Sequence, residues 1–60
     1  MPSRLPILYV LTYAQKRAVL ERHGYTLHED DAEEDLDFTL TGDVAAGQIA
    51  LAELEAAVGS

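Results

Sequence analysis

The chain has 60 residues, no cysteine, and eleven acidic side chains against four basic ones, for a net charge of −7. A chain this short hides only about 60% of its unfolded surface on folding, so it supports one modest core. A two-domain enzyme, a dinucleotide-binding unit or a barrel is thereby excluded. The absence of cysteine removes a disulfide framework and any thiolate metal site, and fits a reducing compartment. The expectation is a single domain over residues 1–60.

Pro6 cannot donate to a β-ladder, so it marks an entry, and Ile7-Leu8-Tyr9-Val10-Leu11 behind it predicts a strand buried on both faces. The competing reading starts a helix at Pro6 and runs it through to His23. Thr12-Tyr13-Ala14-Gln15 has the form of a capping box, in which the threonine oxygen and the glutamine side chain satisfy each other's backbone N–H groups. It predicts a helix from Tyr13 to His23, ended by Gly24 in the left-handed conformation. Tyr25 to Glu29 alternates, and Leu36 to Thr41 alternates more cleanly, with Leu36, Phe38 and Leu40 inward and Asp37, Thr39 and Thr41 outward. Period two predicts half-buried antiparallel strands. Asp30 to Asp35 would then form the hairpin tip. Asp43 is the expected N-cap of a last helix, with Val44, Gly47, Leu51, Leu54 and Val58 as its buried stripe. The predicted fold is α+β, a small βαββα domain with an antiparallel sheet and two helices on one face. Ile49 falls off the stripe. With parts of Ile7 to Leu11 it implies a second contact surface and a homodimer, because so small a core covers little.

The charge is unevenly placed. Residues 1–28 carry four positive charges and one negative, whereas residues 29–60 carry ten negative and none positive. Glu29, Asp30, Asp31, Glu33, Glu34, Asp35 and Asp37 put seven carboxylates into nine positions. Two such charges 7 Å apart in water repel by about 0.6 kcal/mol before salt screening. Acidic surface of this density repels nucleic acid and anionic lipid, so its partner is expected to be a basic, Lys/Arg-rich protein surface.

Other chemistries fit poorly. An EF-hand loop needs glycine at its sixth position and glutamate at its twelfth, but Leu36 stands where the glycine would be after Asp31, Glu33 and Asp35. His23 and His28 are five apart across a helix end, which is not zinc spacing. No Ser/His/Asp ordering, Gly-rich phosphate loop or activated nucleophile occurs, so no catalysis, metal or cofactor is expected. Met1-Pro2-Ser3-Arg4 and the following apolar run make a poor secretory leader, because Lys16 and Arg17 follow the cleavage point. No apolar run approaches the roughly 20 residues of a membrane span, and a cytoplasmic location is expected.

Extended, nine residues span about 30 Å; as a helix they span about 13 Å. Seven charges over either length approach the 1.7 Å axial charge spacing of duplex DNA, about 3.4 Å per strand. In size, net charge and the clustering of Glu29 to Asp37, the chain resembles the small acidic inhibitors encoded by bacteriophages, notably anti-CRISPR proteins that act as DNA mimics. The resemblance includes no shared motif. It implies a bacterial host cytoplasm and, as target, a nucleic-acid channel of an RNA-guided surveillance complex. The basic first 22 residues depart from a uniformly acidic mimic. A small phage structural or assembly protein and an antitoxin-like regulatory partner of a basic protein are the alternatives.

Overall fold

The computed structural model describes residues 5–59. Arg4 and the leader-like start lie outside them. A 3-10 turn (Pro6–Tyr9) leads into three helices, α1 (Tyr13–Arg22), α2 (Glu33–Ala45) and α3 (Leu51–Val58). The architecture is all-α, and α2 and α3 both pack against α1. Among the described residues there is no strand, so the expected βαββα fold and its sheet are corrected. The core consists of Leu8, Leu11, Val19, Leu20, Leu36, Leu40, Ile49, Leu54 and Ala57.

The start and stop of α1 follow from local chemistry. The Gln15 N–H donates to Thr12 Oγ1 at 3.1 Å, and the Thr12 N–H donates to Gln15 Oε1 at 2.8 Å, so the capping box forms as its residues predict. At the other end Gly24 has φ +93°. Its N–H donates to the Glu21 carbonyl and that of Tyr25 to the Leu20 carbonyl, both at 3.1 Å. This pair of bonds is the Schellman closure, which needs a left-handed residue.

The three expected strands fail for separate reasons. Pro6 opens a 3-10 turn, where proline's fixed φ and missing N–H cost nothing. The turn sends Leu8 and Leu11 into the core and leaves Tyr9 and Val10 exposed. Tyr25 to Glu29 has no ladder partner, since the Tyr25 N–H is spent on closing α1. Residues 36–41 lie inside α2. A strand would bury Phe38 and expose Asp37; the helix does the reverse, with Phe38 81% exposed and Asp37 3%.

The last helix is also corrected. Asp43 is an interior residue of α2, not an N-cap. The chain is broken after Ala45 by a second Schellman closure, in which Gly47 (φ +80°) donates to the Val44 carbonyl and Gln48 to that of Asp43. The break divides the expected stripe. Leu54 stays buried, Leu51 and Val58 are exposed, and Ile49, expected at a surface, is 1% exposed in the core.

Gly47 therefore offers a test whose sign depends on the fold. Gly47→Ala within one continuous helix would stabilise the chain by about 1 kcal/mol. At φ +80° a Cβ is strained, and the substitution is expected to destabilise by about 1 kcal/mol, measured by urea unfolding.

Candidate functional site

The acidic block straddles a turn and the first part of α2. The Asp31 side chain accepts from the His28 N–H at 2.8 Å, folding residues 28–31 into a tight turn. That turn is tied to α1. Tyr13 Oη donates to the Asp31 carbonyl at 2.5 Å, and Arg17 Nη1 donates to the His28 carbonyl at 2.7 Å. The Arg17 guanidinium also stacks over the Tyr13 ring, 5.6 Å from its centroid. The chain then enters α2 at Ala32, which supplies no side-chain cap. Glu33, Glu34 and Asp35 occupy the first turn instead, where carboxylates interact favourably with the positive end of the helix dipole.

The seven candidate carboxylates do not form one surface. Asp37 is buried, and its Oδ1 lies 2.6 Å from Lys16 Nζ. Glu33 is half-exposed and reaches the same ammonium at 2.8 Å. These two are structural partners of Lys16, which is itself 2% exposed. Asp31 is committed to its turn. Glu29, Asp30, Glu34 and Asp35 remain exposed and, among the described residues, have no ion-pair partner.

The described Lys and Arg side chains are each engaged within the chain. Lys16 holds Asp37 and Glu33. Arg17 holds the 28–31 turn and lies 3.9 Å from Glu21. Arg22 reaches Glu53 at 3.2 Å, and the His23 ring meets the other oxygen of Glu53 at 2.7 Å. The hydrogen bond from His23 leads the influences on Glu53, and with Arg22 it outweighs desolvation and holds the carboxyl below its usual range. On Lys16 the largest influence is burial, which lowers its pKa. The hydrogen bonds and charges of Asp37 and Glu33 together exceed it, so the ammonium titrates above its ordinary value of 10.5.

A second feature is a shallow, open depression of about 250 Å³ between the ends of α1 and α2, lined by His23, Gly24, Tyr25, Asp43 and Gln48. Across it Tyr25 Oη donates to Asp43 Oδ2 at 2.5 Å. Losing the Tyr25 hydroxyl proton would break this bond and set two anions side by side, so the Tyr25 pKa is raised. Among the described residues no group of three or more His, Asp or Glu side chains is placed to hold a metal ion. No described helix is long and apolar enough to cross a membrane.

Sequence reasoning missed Lys16 as the partner of the acidic block and Phe38 as an exposed aromatic. The spacing of Glu33 and Asp37, one helical turn apart, was the available signal for the first. No protein-family model, curated protein or solved structure matches the chain.

The buried pair makes an unequal prediction for its two acids. Removing one partner of a buried pair costs about 3–5 kcal/mol, comparable with the roughly 3–9 kcal/mol total stability of a domain this size. Asp37→Ala is expected to cost about 3 kcal/mol, the lower end of that range because Glu33 remains. Glu33→Ala, at a half-exposed position, is expected to cost about 1 kcal/mol or less. Equal, mild effects in urea unfolding would refute the assignment. Because the Lys16 pKa is raised on folding, its contribution is fully present below about 10.5. It is lost as pH rises through the folded value, so a chain carrying both Lys16→Met and Asp37→Leu, which leaves no buried charge unpaired, is expected to show a flatter alkaline fall in stability.

Proposed function

We propose that this chain is a small acidic binding protein that occupies the basic, nucleic-acid-binding surface of another protein and thereby inhibits it. This is the mode of action of the anti-CRISPR DNA mimics that it resembles in size and charge. The observation that supports the reading is the segregation of charge in the fold. Lys16, Arg17 and Arg22 are consumed by intramolecular carboxylates and carbonyls. Glu29, Asp30, Glu34 and Asp35 face solvent. The described cations of the first half therefore offset little of the acidic edge, because each is already paired within the chain.

The binding edge is smaller than the seven-residue block. Asp37 and Glu33 belong to the core and its margin, so the available carboxylates are the four exposed ones with Asp31 beside them. Four contacts at an exposed interface contribute about 0.5 kcal/mol each. Together they are worth about 2 kcal/mol, or about thirtyfold in affinity.

The test is capture from a bacterial lysate with the chain immobilised, followed by elution with a duplex oligonucleotide. Nucleic-acid-binding proteins are expected in the eluate, and their retention is expected to fall as salt rises. A chain carrying Glu29→Gln, Asp30→Asn, Glu34→Gln and Asp35→Asn is expected to bind the eluted protein about thirtyfold more weakly, with its helical circular dichroism retained. Capture indifferent to duplex, to salt and to these four substitutions would overturn the reading.

A further inference from the structure

The four exposed carboxylates explain attraction to a basic surface but not how a particular surface is held. Phe38 is the most exposed large apolar side chain described, at 81%, although it sits in the interior of a 13-residue helix. Its helical neighbours are instructive. Glu34 and Asp35 stand one turn before it, and Gly42 and Ala45 stand one and two turns after it, all exposed. A Cβ added at Gly42 would meet nothing within 4 Å, so the helix surface beyond the ring is low and open. The face thus carries a protruding aromatic with acid on one side and bare backbone on the other.

We propose that this outward face of α2 is a docking face, with Phe38 seating in an apolar pocket of the partner protein and Glu34 and Asp35 meeting lysine or arginine at the pocket's rim. The proposal rests on the basic-partner reading above and adds the apolar anchor that reading lacks. Aromatic side chains in desolvated pockets, surrounded by polar contacts, dominate interface energetics. An amphipathic helix laid in a groove is a recurrent way to present them.

Charge complementarity selects the occupant. The α2 sequence contains no Lys or Arg, and the described cations belong to α1 and are turned to intramolecular partners. A second copy docking by this face would be related by a two-fold axis, which brings the two Phe38 rings together and crowds Glu34 and Asp35 against their own counterparts. A basic surface removes that repulsion, and a second copy adds to it.

The experiment places p-benzoylphenylalanine at position 38, irradiates the chain in bacterial lysate at about 50 mM salt, and identifies the cross-linked protein by mass spectrometry. A basic protein is expected, its cross-link suppressed by excess parent chain and not by the Phe38→Ala chain. That protein, purified, is then titrated with three chains: the parent, Phe38→Ala, and Glu34→Gln with Asp35→Asn. Phe38→Ala is expected to bind at least about tenfold more weakly at both about 50 and about 500 mM salt. The deficit of the double variant is expected to shrink at the higher salt, where the screening length falls from roughly 14 Å to roughly 4 Å. Cross-linking to a second copy alone, to an acidic protein, or to nothing overturns the proposal. So does a Phe38→Ala chain that binds like the parent. If that chain binds normally while the charge variants lose affinity, the anchor is wrong and the acidic-edge reading stands. If Phe38→Ala loses affinity and the charge variants do not, the apolar anchor stands and the acidic reading fails.

Discussion

The fold depends on one buried ammonium. Lys16 projects from α1 into the contact with α2, and an isolated charge there would be far too costly to bury. Glu33 and Asp37 make it tolerable by closing on Nζ at 2.8 and 2.6 Å. That closure constrains the backbone. Four residues of extended chain separate two side chains by about 13 Å, too far for one ammonium to contact both. Four residues of helix separate them by about 6 Å along the axis. A helical α2 brings both carboxylates to one cation, and this is a long-range reason for a local conformation.

The same interaction explains why the central segment is misread from sequence. Leu36, Phe38 and Leu40 alternate with polar residues, and period two is ordinarily the mark of a half-buried strand. The pattern is nevertheless compatible with a helix if Leu36 and Leu40 face inward with Asp37 beside them, and if Phe38 is given up to solvent. Nothing within residues 36–41 chooses between the two. The choice is made by Lys16, about 20 positions earlier, and by the acids of the first turn. A run such as Glu33-Glu34-Asp35 is a helix-start signal, but its density also suits a solvated hairpin tip.

What was legible was what is locally determined. The capping box of Thr12 and Gln15 and the left-handed Gly24 are complete within a few residues, and both form. The starts of α2 and α3 are at Ala32 and Ala50, neither of which offers a capping oxygen. Asp43, the residue type most expected at a helix start, lies in the last turn of α2, where its carboxylate serves Tyr25 and its carbonyl serves the closing turn. Gly47 occurs at a spacing that fits an apolar stripe, and its actual role as a stop depends on a positive φ that the pattern does not encode. The candidate site shows the same division. The acidic block was visible as composition, whereas its partition into buried, turn-bound and exposed carboxylates needed the tertiary contacts.

Most consequential is that α2 has two faces under different constraints. The inward face, with Leu36, Asp37 and Leu40, is fixed by the core and by Lys16, so its residues are not free to adapt to a partner. The outward face, with Glu34, Asp35, Phe38 and Gly42, is exposed and contributes nothing to the described core, and substitutions there are limited by solubility and by whatever the face touches. An exposed phenyl ring is a solubility cost with no internal return, and the flanking carboxylates set like charge against like on any copy that would pair through this face. In this arrangement the exposed acids have a role even before a partner arrives. They let an apolar anchor remain exposed on a domain too small to hide it.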